Sequence, residues 1–196
     1  MKKEIRFNTG TVEIRADGDN SRIIEGYAFK YEKESKNLGG FNEMIMRGAL
    51  DGANTDDVLA LVNHSVNQMV GRTLSGTLEL KPDDIGLGYR INTPETTVGN
   101  DLLIQVERKD IQGSSFAFTV QPNGESWEDR DNQLPLRKIT AFRQIYDVSP
   151  VADPAYADTS VAKRSLDAHI EEIKENTKYS NRTFHAHMLN LQRVEL

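Results

Sequence analysis

Residues 113–120 read Gly-Ser-Ser-Phe-Ala-Phe-Thr-Val (GSSFAFTV), and their alternation decides the fold class. Successive side chains of a strand point to opposite faces. Phe116, Phe118 and Val120 then share one face with Ser114, and the aromatics turn that face toward a core. Ser115, Ala117 and Thr119 line the other, a face of small residues on which a substrate can reach a hydroxyl. Gly113 allows another backbone to approach closely. A serine becomes nucleophilic only beside a base, so Ser115 requires one from elsewhere in the chain.

The flanking sequence is strand-rich. Residues 4–15 (EIRFNTGTVEIR) alternate apolar and polar around a Gly, and Ile23 to Tyr31 continues in β-forming residues. Residues 34–43 (ESKNLGGFNE) read as a loop, and Met44 to Leu50 as a short helix weakened by Gly48. Val58 to Val62 is an apolar run of strand length. After a polar turn, Thr73 to Leu80 and Leu87 to Asn92 form a hairpin across Pro82-Asp83-Asp84. A helix grows out of residues 93–102 and continues through LLIQVERK. Phe116 to Val120 and Ile139 to Val148 are strands, and the polar stretch 121–135 between them is an exposed loop. The spacing of Leu166, Ile170 and Ile173, with Ser165 as N-cap, predicts a helix. The reading divides the chain into a β-rich body, residues 1–163, and a helical, flexible C-terminal tail, residues 164–196.

The chain has four histidines. His169, His185 and His187 fall in the tail, and only His64 falls in the body, directly after the buried run in ALVNHS. A group at the end of a buried strand is held rigidly yet can face a cleft, and histidine is the usual base near neutral pH. A carboxylate must then orient the imidazole. Asp147, Glu107 and Asp110 are the candidates, and Asp147 sits on an otherwise β-forming segment where a charge is expensive unless paired or exposed.

Composition narrows the classes. The 196 residues have a formal net charge of −6, which argues against nucleic acid as a partner because phosphate binding needs a concentrated basic face. The absence of cysteine excludes disulfides, thiolate nucleophiles and zinc–thiolate sites and suits a reducing compartment. The start MKKEIRFNTG lacks the apolar stretch of a signal peptide, and no apolar run approaches the ~20 residues of a membrane-spanning helix. A soluble, cytoplasmic protein without membrane contact is expected.

Several segments, taken in order, resemble the prohead serine proteases of tailed phages. They are IIEGYAFKY, FNEMIMRGAL, DVLALVNHS with GRTLSGTLEL, DDIGLGYRINTPET, GSSFAF and YDVSPVADPAYADTSVA, spanning about residues 5–163. The resemblance assigns the family's histidine to His64 and its nucleophile to Ser115. It assigns the acidic-Val-Ser-x-Val string to Asp147 through Val151, with Asp where Glu is common. It implies a β-rich α+β fold, a compact β-barrel with flanking helices similar to herpesvirus assemblins. The implied function is a serine endopeptidase that cleaves the scaffolding region of the major capsid protein, and itself, during capsid maturation. It would act inside the assembling prohead in the host cytoplasm, with self-association possible and no cofactor or metal required. The tail would serve delivery into the particle or self-removal.

Two other classes stand beside this one. A non-catalytic β-barrel of capsid assembly or of the tail-tube kind would account for the strands and the acidity, but has no use for a His64 and Ser115 pair. A metallohydrolase would draw on His185-x-His187 with tail carboxylates. Arg72 in the GRT string is a candidate for transition-state charge, against the plainer role of a structural arginine.

Overall fold

The computed structural model describes residues 3–8, 13–15, 22–152, 166–171 and 173–175. Twelve strands and one longer helix follow in chain order: β1 Glu4–Asn8, β2 Glu13–Arg15, β3 Ile23–Lys30, β4 Asn42–Ile45, β5 Leu59–Val62, β6 Ser65–Arg72, β7 Leu78–Pro82, β8 Gly86–Asn92, α1 Thr97–Glu107, β9 Gly113–Val120, β10 Glu125–Glu128, β11 Leu136–Ile139 and β12 Phe142–Val151. Residues 166–171 and 173–175 are also helical. The β-rich α+β class follows directly.

The expected closed barrel is replaced by three sheets. Their strand orders are β1-β9-β12-β5-β6, β2-β3-β8-β7 and β10-β11-β4, and none closes on itself among the described residues. The sheets meet through side chains rather than through a continuous ladder. Phe29 of β3 lies 4.9 Å from the ring of Phe116 on β9 and 5.3 Å from that of Phe142 on β12. Phe118 adds a ring 4.9 Å from Phe116 and 5.0 Å from Phe142. Offset and edge-on rings at such distances contribute beyond their buried area.

β9 is the axis of this arrangement. It pairs with β1 on one side and β12 on the other, and all eight of its positions are buried. One face carries the phenylalanine core; the other carries Ser115.

Several local expectations change. The polar stretch after His64 is β6 rather than a turn. It is the edge strand of its sheet, paired only with β5, and residues 66–69 are exposed, so no apolar alternation announces it. Met44–Leu50 is no helix: β4 pairs in parallel with β11, and a turn follows in which Gly48 and Gly52 take φ of 84° and 74°. Strand pairing here overrides local helix preference. The loop 121–135 contains β10, and Ile139–Val148 is divided between β11 and β12. The hairpin across Pro82 and the helix after residue 93 are found, with Thr96 capping α1 by accepting from the Gly99 amide at 3.2 Å.

Two residues of the described helix, Leu166 and His169, rest beside the three-stranded sheet. Leu166 packs on Leu38 and Phe41, and the His169 ring stacks on Trp127 at 4.7 Å. His185 and His187 lie outside the described residues. No helix among the described residues is long and apolar enough to cross a membrane.

Candidate active site

Ser115 stands on β9, Asp147 on β12, and His64 in the turn that joins β5 to β6. Because β9, β12 and β5 are neighbours in one sheet, residues 51 and 83 positions apart converge. His64 Nε2 is 2.5 Å from Ser115 Oγ, and His64 Nδ1 is 2.5 Å from Asp147 Oδ1. The imidazole thus bridges hydroxyl and carboxylate through its two ring nitrogens. With Nδ1–H donating to Asp147, Nε2 presents a lone pair to the Ser115 hydroxyl.

The turn holding His64 is unusual in its residues. Asn63 and His64 have φ of 50° and 58°, and Val62 pairs with Ser65 across them. Positive φ at both central residues is the pattern of a two-residue type I′ hairpin, which favours Asn-Gly. Here the glycine position carries an imidazole, at a cost of about 1–2 kcal/mol for a side-chain-bearing residue in the left-handed region. The turn is tied to the end of β12: the Asn63 amide donates to the Pro150 carbonyl at 3.1 Å, and Asn63 Oδ1 accepts from the Ala152 amide at 3.1 Å.

Asp147 is 1% exposed and receives three donors. Oδ1 accepts from His64 Nδ1 and from the Ser149 hydroxyl at 3.0 Å, and Oδ2 accepts from Lys3 Nζ at 2.9 Å. Burial by itself would raise this carboxyl. The hydrogen bond and charge of His64, followed by those of Lys3, outweigh it and hold the group below its ordinary value.

Ser115 is fully buried, and its hydroxyl has a second acceptor, the Arg6 carbonyl of β1 at 2.9 Å. The alternation read from the sequence holds: Ser114 turns the other way, its Oγ 3.1 Å from the buried Tyr89 hydroxyl. The exposure expected for the Ser115 face is not found. β9 is an interior strand with both edges paired, so its small residues lie under neighbouring groups rather than at a surface.

A family model for the caudovirus prohead serine protease matches residues 10–174. The chain belongs to this family. No curated protein and no solved structure matches it. The family is one of serine peptidases of capsid maturation, and the match continues past residue 163, where the sequence pattern suggested a boundary, into the described helix.

The other candidates named from the sequence have partners or positions of their own. Glu107 is exposed at the end of α1, and Asp110 pairs with Arg108 at 3.0 Å. Arg72 is committed to Asp57 by two bonds of 2.6 Å, a structural pair at the surface. No group of three or more His, Asp or Glu residues that could hold a metal occurs among the described residues. Two contributors escaped the sequence reading. Ser149 was legible in principle, because position i+2 of a strand shares the face of Asp147. Lys3 was not, since its reach depends on the pairing of β1 with β9.

Proposed function

We propose that the chain is a serine endopeptidase in which Ser115 is the nucleophile, His64 the general base and acid, and Asp147 the residue that orients His64. The reading rests on one observation, the unbroken line of hydrogen bonds from Ser115 Oγ through both nitrogens of His64 to Asp147. Ser115 attacks the scissile carbonyl carbon while Nε2 takes its proton. Collapse of the tetrahedral intermediate passes that proton to the leaving amine, and water then hydrolyses the acyl-enzyme through the same relay. The ionised Asp147 stabilises the imidazolium that forms at each step. The order His64, Ser115, Asp147 along the chain is immaterial, because a triad is defined by geometry.

Family membership supports the major capsid protein of the encoding phage as substrate, cut in its scaffolding region inside the assembling prohead, with self-cleavage as a second event. The test is co-expression of the full chain with that capsid protein, with products sized on a gel. Wild type yields a shortened capsid protein and Ser115→Ala yields none. Equal cleavage by both would overturn the assignment, and no cleavage by either would favour a structural role in assembly.

A further inference from the structure

Lys3 lies one residue ahead of β1, and its side chain is 47% exposed, yet its partner Asp147 is 1% exposed. Ion pairs between two exposed groups contribute little, but a carboxylate removed from water is screened far less. We propose that Lys3 is a positioning residue for the Asp147–His64 pair. The inference rests on the triad reading given above.

Asp147 presents a carboxylate to the imidazole. Its two oxygens are chemically equivalent, and the pair works only while one of them faces Nδ1. His64 and Ser149 both engage Oδ1, and Lys3 alone among the described residues engages Oδ2. The ammonium therefore pins the second oxygen on the side away from the imidazole. It also lies 5.2 Å from the centre of the Tyr146 ring, a second attractive contact at the same spot.

The backbone that carries Lys3 is anchored independently of this contact. Glu4 and Arg6 on β1 are buried and locked to β4 and β11. Arg6 Nε donates to Glu43 at 2.7 Å, Arg6 NH2 donates to Glu4 at 2.6 Å, and Arg137 NH1 donates to Glu4 at 2.7 Å and to Glu43 at 2.8 Å. A surface lysine is normally free to wander; this one leaves a strand held by a buried charge network.

The electrostatic consequence has a definite sign. The charged or titratable groups that engage Asp147 among the described residues are His64 from the β5–β6 turn and Lys3, whose ammonium also lies over the Tyr146 ring. Ser115 on β9 and Ser149 on β12 add hydroxyls. A fixed cation on Oδ2 makes Asp147 a weaker partner for a second cation at Nδ1. Lys3 and His64 thus share one buried carboxylate through its two oxygens.

The test is the rate at which an alkyl fluorophosphonate labels the full chain, followed by intact mass from pH 5 to 9. In that reaction Ser115 Oγ bonds to phosphorus, fluoride leaves, and His64 takes the proton. Lys3→Met should slow labelling at acidic pH and displace the acid limb of the rate profile upward, while Lys3→Arg keeps the wild-type limb. A Lys3→Met profile that overlays wild type, or a Lys3→Arg profile displaced as far as Lys3→Met, overturns the inference. Ser115→Ala separates the two claims. If it abolishes labelling, only the Lys3 inference is at stake; if labelling persists, the triad reading itself fails.

Discussion

Ser114 and Ser115, neighbours on β9, point through opposite faces of the sheet: Ser114 Oγ lies 3.1 Å from the Tyr89 hydroxyl, and Ser115 Oγ lies 2.5 Å from His64 Nε2. Adjacent, chemically identical side chains therefore have separable effects. Ser114→Ala leaves the Tyr89 hydroxyl, wholly buried with its ionisation pushed far up by desolvation, without its described partner. This should cost about 1–3 kcal/mol of stability with cleavage preserved in the folded fraction. Tyr89→Phe in the same chain should recover most of the loss, because both polar partners are then gone. Denaturant unfolding of the two singles and the double tests this, and strict additivity would contradict it.

The turn at His64 inverts a familiar rule. An Ala-to-Gly change usually lowers stability, but at φ 58° glycine relieves the strain that alanine keeps. His64→Gly should be inactive, like His64→Ala, yet more stable than it by about 1 kcal/mol. For a domain of this size that corresponds to a melting temperature roughly 2–4 °C higher. Calorimetry of the two variants decides the point, and the opposite order would mean that the turn is not of the left-handed kind.

Acid should unfold the protein through its buried carboxylates. Burial pushes Glu4 up, but hydrogen bonds and charges from Arg137 and Arg6 outweigh it and hold it below its ordinary value of 4.5; Asp147 is likewise held below 3.8. A depressed folded value means that each contributes stability fully present above its unfolded value and lost as pH falls through the folded one. Melting temperature should thus be insensitive to these groups above about pH 5 and fall below about pH 4.5. Glu4→Gln should shrink the acid-dependent part while lowering stability at pH 7. A melting curve flat from pH 6 to 3 would contradict the linkage.

The first helical turns from Leu166 should act as part of the body. Truncation after Lys163 uncovers Leu38, Phe41 and Trp127, against which Leu166 and His169 now rest. The loss of this contact should lower the melting temperature by roughly 2–4 °C, a change of about 1 kcal/mol. An unchanged melting temperature would assign these residues to a separate tail instead.

Strand alternation carried much of the site. It separated Ser115 from Ser114, and the apolar run ending at Val62 singled out His64, whose ring lies between Ser115 and Asp147. What stayed hidden depends on long-range pairing. β6 lacks a clean alternation because it is an edge strand with residues 66–69 exposed, and β4 resembles a helix until β11 lies beside it. Nothing local to Lys3 points to a residue 144 positions away. The turn was obscured because Asn-His replaces the Asn-Gly that announces a type I′ hairpin. The three sheets of the described residues, in place of the expected closed barrel, were hidden for a related reason: alternation establishes strands and faces, while closure depends on which edges meet.

The central claim is that Ser115 is the group that His64 activates, and mapping the fluorophosphonate adduct by tandem mass spectrometry tests it most directly. The account predicts one modified peptide with the adduct on Ser115, absent from His64→Gly at equal exposure to the reagent. An adduct on Ser114 or on any other serine, with Ser115 unmodified, would contradict it.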